Sequence, residues 1–332
     1  MKHVMIIAEA GVNHNGQLSI AKRLVDAAKD AGADVIKFQT FDVDSITSKY
    51  AEMAQYQKEN IGEVKSQKDM LSNLVLSHDD FKELYRYCEE KGIRFLSTPF
   101  DIPSIEFLKE YNGELWKIPS GEITNYPYLI KVANMHQEVI LSTGMSTLDE
   151  VKSAVEILME HGAGKISLLH CTTQYPTLYC DVNLKAMKTL KDEFNVEVGY
   201  SDHTEGIEIP LAAVGMGAAI IEKHFTLDRT MQGPDHKASL EPHELKAMVL
   251  AIRNIEQAWG NGEKCPQSIE LQNKDVARKS IVAKTKISKG EILTETNITT
   301  KRPGNGLSPM LWERVIGTKA VRDFGEDELI EI

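Results

Sequence analysis

The sequence predicts an α/β protein, a (β/α)8 TIM barrel followed by a small β-rich domain. Three observations predict it: short apolar runs alternate with longer amphipathic stretches from residue 3 to about 258, eight such runs fall within roughly 250 residues, and the composition changes character after Trp259. Alternating strand and helix units with short buried strands build a parallel sheet. Eight units in that length match a closed barrel, whereas an open doubly wound sheet usually has fewer.

The apolar runs, in order, are Val4–Ala8, Val35–Phe38, Phe95–Leu96, Leu115–Ile118, Val139–Leu141, Ile166–Leu169, Val196–Tyr200 and Ala219–Ile221. Helical periodicity lies between them over Leu18–Ala31, Asp79–Lys91, Leu148–His161, Leu184–Phe194 and Glu241–Trp259. Gly32, Gly92 and Gly162 stand where a left-handed helix stop is wanted. One interval breaks the rhythm. Between Thr40 and about Leu76 an insertion that includes 42–66 and the run Tyr50–Tyr56 is long enough to cover a barrel mouth. After Trp259, the polar stretch 261–279 reads as a linker and 280–332 as a domain of short Val/Ile/Thr-rich pieces at Ser280–Ala283, Ile292–Leu293, Ile298–Thr300 and Val315–Val321. The domain boundaries are therefore 1–260, 261–279 and 280–332. So small a tail buries little by itself and is expected to lean on another surface.

Thirty-eight Lys plus Arg against forty-nine Asp plus Glu leave a net charge of −11, which opposes attraction to nucleic acid or to an anionic membrane. A locally positive cleft for a small anion is still compatible with that balance. No apolar run approaches the roughly 20 residues of a membrane span. The N-terminus reaches Glu9 too early for a signal-peptide core. Four cysteines without a CxxC pair, at 88, 171, 180 and 265, suit free thiols and a cytoplasmic protein.

Chemistry-bearing residues end each apolar run. They are Glu9; Lys37 and Gln39; Ser97 and Thr98; Lys117, Ser120 and Glu122; Ser142 and Thr143; His170 and Thr172; Ser201, Asp202 and His203; Lys223 and His224. In a (β/α)8 barrel these termini converge on the face that carries catalysis. Any single Ser or Thr there is as well explained by a wet loop. Lys37 and Lys117 are not, because each sits between apolar neighbours and a buried ammonium needs an anion. Two such lysines among small hydroxyls suit a phosphate or a carboxylate; a Schiff-base lysine of an aldolase is the other reading. His203 and His224 end adjacent strands, and with a carboxylate such as Glu9 across the mouth they would make an open divalent-metal site. His14, His170 and His236 are reserve ligands, with a plain turn role explaining His14 in Gly-Val-Asn-His-Asn-Gly. Asp235 in Gly-Pro-Asp-His follows the last strand as a loop or substrate contact, and Cys88 and Cys180 read as packing or surface.

The ordered motifs Ile-Ala-Glu-Ala-Gly-Val-Asn-His-Asn-Gly (7–16), Lys-Phe-Gln-Thr (37–40), Ser-Thr-Pro-Phe (97–100), Trp-Lys-Ile-Pro-Ser-Gly-Glu (116–122), Leu-Ser-Thr-Gly-Met (141–145), Leu-His-Cys-Thr (169–172), Tyr-Ser-Asp-His-Thr (200–204), Glu-Lys-His-Phe-Thr (222–226) and Lys-Arg-Pro-Gly-Asn-Gly (301–306) resemble those of the bacterial sialic acid synthases. The tail is similar to their antifreeze-like (SAF, β-clip) domain.

The resemblance implies a transferase that condenses phosphoenolpyruvate with an N-acylated hexosamine such as N-acetylmannosamine, giving N-acetylneuraminate and phosphate. Some motifs resemble members making legionaminic acid, so a synthase of N,N'-diacetyllegionaminate acting on a 2,4-diacetamido-2,4,6-trideoxy-mannose is the alternative. It further implies that Lys37, Thr98, Lys117, Ser120, Ser142, Tyr175 and Ser201 hold phosphoenolpyruvate, that His203 and His224 bind Mn2+ or Mg2+, and that Gln39, Glu122 and Asp235 address the sugar. Glu9, the expected base for the attacking water, joins Glu122, Lys37 and Lys117 as catalytic residues. Arg302 would reach the sugar's N-acyl group from the partner's tail in a homodimer with exchanged SAF domains. Where some members carry Asn after Cys-Thr, this chain has Thr173 and Gln174 before Tyr175.

Overall fold

The structure, a computed structural model, describes residues 3–48, 50–51, 53–55, 57–58 and 66–332. It forms two compact units, Met1–Gly260 and Asn261–Ile332.

The first unit is an eight-stranded parallel sheet in the order β3-β2-β1-β8-β7-β6-β5-β4, curled so that β3 and β4 become neighbours. The strands are β1 Met5–Gly11, β2 Val35–Thr40, β3 Arg94–Pro99, β4 Leu115–Ile118, β5 Glu138–Ser142, β6 Ile166–Cys171, β7 Glu197–Asp202 and β8 Ile220–His224. No hydrogen-bonded ladder joins β3 to β4. Asn112 substitutes for the missing neighbour at Ser97, accepting from its N–H at 2.9 Å and donating to its carbonyl at 2.8 Å, so a buried strand edge keeps its backbone bonds.

Inside the barrel, Ile7, Val35, Leu96, Leu115, Ile140, Leu169 and Ile220 form an apolar plug. β7 contributes Gly199, where a Cβ would stand 2.3 Å from Ile220 O and 2.7 Å from Leu169 Cδ2. The plug closes the lumen there and leaves the space toward the strand C-termini for polar side chains. The alternate residues, Ala8, Ile36, Phe38, Leu141 and Leu168 among them, face the helix layer.

Five helices follow the sequence periodicity, at Leu18–Ala31, His78–Lys91, Leu148–Glu160, Ala186–Phe194 and Pro242–Ala258. Gly32 and Gly92 cap the first two in the left-handed conformation, with φ of 83° and 67°. Short helices at Ile102–Leu108, Tyr126–Ala133 and Glu208–Gly215 complete the units. Their apolar content is too brief or too uniform to show a stripe.

Four differences from the sequence reading have physical causes. Most strands run further than their apolar cores: Glu9, Gln39, Thr98, His170, Ser201, Asp202 and His224 lie within the ladders, because backbone pairing continues where side chains turn polar. The linker 261–279 contains a helix, Ser268–Ala277, started by a reciprocal Gln267–Glu270 capping box although it buries no residue. Val315 closes a helical turn, Trp312–Val315, rather than opening a strand. The insertion supplies helices Val43–Ile46 and Gln67–Ser72; Glu52 and Tyr56 of the Tyr50–Tyr56 run lie outside the described residues.

The second unit pairs β9 Ser280–Ala283 antiparallel with β10 Ile298–Lys301 and adds single bridges at Val282–Leu329, Ile287–Phe324 and Ile292–Lys319. Ile281, Ile287, Leu293, Ile298, Phe324 and Ile330 are buried in its own small core.

Candidate active site

Two lysines and two carboxylates occupy the lumen above the apolar plug. Lys37 on β2 and Lys117 on β4 are almost wholly buried, with side-chain exposures of 4% and 3%. Lys37 Nζ lies 2.8 Å from Glu9 Oε2, donates to Thr98 Oγ1 at 2.8 Å, and is 3.7 Å from Glu222 Oε2. Lys117 Nζ is 3.5 Å from Glu222 Oε1, an ion pair at the outer limit of a hydrogen bond. Ser201 donates to the same Glu222 oxygen at 2.9 Å, and Gln39 donates to Glu9 Oε1 at 3.0 Å.

The electrostatics follow from these distances. Burial opposes the charge on Glu222, yet Lys117 and Lys37 outweigh it and bring its pKa down to about 2. Burial raises the Glu9 pKa despite Lys37. Desolvation works against the Lys37 ammonium, but Glu222 and Glu9 hold its pKa above the usual value. Lys117 goes the other way: burial lowers its pKa, with only Glu222 as a close counter-charge. An anion entering this lumen would meet the Lys117 ammonium, and among the described residues the buried Ser142 Oγ has no hydrogen-bond partner.

His203 and His224 stand side by side with ring centroids 5.5 Å apart. His203 Nδ1 lies 2.6 Å from the Thr172 carbonyl, which assigns the proton to Nδ1 and leaves Nε2 with its lone pair. His224 Nδ1 is buried without a hydrogen bond, 4.0 Å from Asp235 Oδ2. Burial lowers the His203 pKa to about 4 and holds that of His224 well below the usual imidazole range, while burial and then Glu9 raise that of Asp235 to about 7. Neutral imidazoles with free lone pairs fit a cation site with open positions. Among the described residues no three His, Cys, Asp or Glu side chains gather as a ligand set. Glu9, the candidate carboxylate across the mouth, is in contact with Lys37 and Gln39.

Tyr175 packs on both imidazoles, 4.1 Å from His203 and edge-on at 5.5 Å to His224. Beside it opens a cavity of about 230 Å³. Its polar lining includes Gln39, Gln67 and Asp235, and its apolar wall is Val12, Phe41, Ile46, Met70, Leu74 and Phe100. Much of that wall comes from the insertion, whose buried Met53, Met70 and Leu74 cluster with Val12 and Phe41.

A model of the NeuB family matches residues 24–264, and a SAF-domain model matches residues 278–331. The chain is 52% identical to the N,N'-diacetyllegionaminic acid synthase of Campylobacter jejuni over 99% of both chains. It is 48% identical to the enzyme of the same name from Legionella pneumophila, over 95% of this chain and 89% of that one. The chain belongs to the NeuB family. A solved structure of an N-acetylneuraminic acid synthetase from Leptospira borgpetersenii, in complex with citrate, superposes with a TM-score of 0.72 at 40% identity over 82% of this chain and 90% of the other. Like its named relatives, this NeuB-family chain is a synthase, a carbon–carbon bond-forming transferase.

Of the NeuB-type site residues expected from the sequence, the barrel brings together Glu9, Lys37, Gln39, Thr98, Lys117 and Ser201 in one contact network. His203, His224, Tyr175 and Asp235 form the adjoining group. Ser120 lies on the turn after β4, accepting from Gly144 N at 2.9 Å and lying 3.2 Å from Cys171 Sγ. Glu122 is half-buried on the same turn and accepts from Asn125. Arg302 belongs to the second unit, where its Nε donates to Ala277 O at 3.0 Å. Glu222 was missed. It differs from the apolar residues before it, Ile220 and Ile221, and two-residue alternation places it in the lumen with His224, a signal that was available. The reserve histidines make contacts within the protein: His170 lies 2.8 Å from Val182 O, His236 lies 2.7 Å from Thr226 Oγ1, and His14 accepts from Gly16 N.

Proposed function

We propose that the protein condenses phosphoenolpyruvate with the open-chain aldehyde of an N-acylated amino sugar to give a nine-carbon 2-keto acid and phosphate. The observation that carries this reading is the adjacency of the Lys37–Lys117 lumen to the His203–His224 pair, an anion subsite beside a cation subsite. Lys37 and Lys117 hold the phosphate and carboxylate, with hydroxyls from Thr98, Ser120, Ser142 and Ser201. His203 and His224 would hold a divalent cation, Mn2+ or Mg2+, which when bound supplies Lewis acidity for the aldehyde oxygen. Gln39, Glu122 and Asp235 orient the sugar so that the enol methylene carbon meets the aldehyde carbon at close range. As that bond forms, positive charge develops at the former enol carbon. Water adds there while Glu9 takes its proton, and carbon–oxygen cleavage then releases phosphate.

For the sugar, the reading advanced is 2,4-diacetamido-2,4,6-trideoxy-mannose, giving N,N'-diacetyllegionaminate. Two near full-length relatives of that name support it, as does the apolar wall of Val12, Phe41, Met70, Leu74 and Phe100, which suits a 6-methyl group and a second acetyl better than a hydroxymethyl arm. N-acetylmannosamine, giving N-acetylneuraminate, is the second reading, favoured by the Leptospira relative. A homodimer in which Arg302 reaches the N-acyl group in the partner's barrel belongs to the same proposal. So does a cytoplasmic location, where the exposed thiols Cys180 and Cys265 would persist.

The test is phosphate release from phosphoenolpyruvate with both sugars side by side. Higher kcat/KM for the trideoxy sugar is expected; preference for N-acetylmannosamine would overturn the product, and release with neither would overturn the reaction. An aldolase using Lys117 would instead be trapped by borohydride in the presence of pyruvate, and no trapping is expected.

A further inference from the structure

Strands β7 and β8 pair Ser201 with Glu222 and Asp202 with Lys223. Because side chains alternate across a strand, these registers interleave two sets. Ser201 and Glu222 meet in the lumen, and His203 and His224 follow on the same side. Asp202 and Lys223 point the other way, into the layer between barrel and helices, where both side chains have zero exposure. The outward-facing residues in register with Lys223 on the next two strands, Ala8 of β1 and Ile36 of β2, are apolar. A charged pair is the exception there.

Lys223 Nζ donates to Asp202 Oδ2 at 2.5 Å and also to the carbonyl of Thr204. Thr204 in turn donates to Asp202 Oδ1 through its hydroxyl at 3.0 Å and its N–H at 3.2 Å. Both neighbours of His203 are thus bonded to the residue that immediately precedes His224. A slide of β7 against β8, or a rotation of the 202–204 turn, would break this closed loop. A buried ion pair is a poor choice for stability alone, since apolar side chains of similar volume usually serve as well or better. Its directional bonds supply a fixed geometry that apolar packing does not.

We propose that the buried Asp202–Lys223–Thr204 cluster is the positioning device that sets the spacing and orientation of the His203–His224 pair for cation binding. This rests on the reading of those histidines as the cation subsite. Asp202, Lys223 and Thr204 touch neither substrate nor cation in it; they act through the imidazoles.

The experiment measures Mn2+ binding directly on the purified full chain, by the electron paramagnetic resonance signal of free Mn2+, together with the visible spectrum of the Co2+-saturated protein. Phosphoenolpyruvate affinity is followed separately by tryptophan fluorescence. In Asp202→Asn/Lys223→Met, which removes both charges at similar volume, a Mn2+ Kd at least tenfold weaker and shifted Co2+ bands at saturation are expected, with phosphoenolpyruvate affinity within threefold of wild type. A folded double variant with unchanged Mn2+ Kd and Co2+ spectrum overturns the proposal. Should the double variant fail to fold, Thr204→Val cuts one link without adding a charge. It is expected to weaken Mn2+ about threefold and to shift the Co2+ bands; no change in either overturns the proposal equally. Wild-type protein that binds no Mn2+, while His203→Ala/His224→Ala matches it in every readout, would instead defeat the reading of the histidines as a cation subsite, and the proposal with it.

Discussion

Lys37 and Lys117 differ in their counter-charges, and that difference predicts different consequences of removing them. Lys37 pairs with both Glu9 and Glu222, so Lys37→Ala leaves buried Glu9 without its ion-pair partner and Glu222 with Lys117 alone. Among the described residues, Lys117 forms its ion pair with Glu222. Either Ala variant should lower kcat/KM for phosphoenolpyruvate about 10- to 100-fold, in line with roughly 1.5–3 kcal/mol for a charge-assisted contact. Only Lys37→Ala should also lower the unfolding midpoint by several degrees. Steady-state kinetics and thermal melts check both; unchanged phosphoenolpyruvate kinetics would remove the lysines from the anion subsite. His14 and His236 carry a second prediction. Burial lowers the pKa of each from 6.5 to about 4. Below pH 6.5 the unfolded chain takes up protons that the folded one refuses, so the stability they contribute is complete above that pH and is lost as pH falls toward 4. The loss by pH 5 is about 2 kcal/mol per group. Urea unfolding at pH 7.5 and 5.0 should register it, and His14→Gln should flatten the dependence.

At the scale of single elements, the loop after β5 Glu138–Ser142 is set by one glycine. A Cβ on Gly144 would lie 2.4 Å from Thr173 Oγ1, 2.9 Å from Ser120 Oγ and 3.0 Å from Cys171 Sγ. The β4, β5 and β6 ends meet there at backbone distance, and Gly144 N itself fixes Ser120. Gly144→Ala should therefore displace Ser120 and raise KM for phosphoenolpyruvate about tenfold while leaving the rest of the barrel folded. Kinetics beside a circular dichroism melt would show it, and an unaltered KM would mean Ser120 plays no part in binding. The same close approach places Thr173 near the Ser120 hydroxyl. Nothing in the local sequence Ser-Thr-Gly-Met announces which neighbours crowd that glycine.

At the scale of the whole molecule, the proposed homodimer makes Arg302 part of the partner's site. If Arg302 completes the partner's site, inactive Glu9→Gln subunits mixed with inactive Arg302→Ala subunits should regain activity, because a mixed dimer then holds one site with both defects and one with neither. Recovery should approach a quarter of wild-type specific activity for an equimolar, randomly exchanged mixture. No recovery despite demonstrated exchange would assign each Arg302 to its own barrel.

The sequence by itself determined the barrel, its eight strands, the limits of five of its helices and nearly every polar residue of the lumen. Those properties reside in period, in caps such as Gly32 and Gly92, and in the contrast of Lys37 or Lys117 with apolar neighbours. All are local along the chain. Tertiary structure alone decided the partnerships. That Glu222 stands between both lysines, that Glu9 is tied to Lys37 and Gln39, and that Asn112 mends the edge of β3 Arg94–Pro99 depend on strands brought together from distant parts of the chain. The apolar cavity wall has the same origin, since Val12, Met70 and Phe100 meet only when the insertion folds over the mouth. Identity and spacing in a sequence record which groups are present at strand ends; Coulomb energy and hydrogen bonding depend on through-space distances of about 3 Å, and only closure of the barrel sets those.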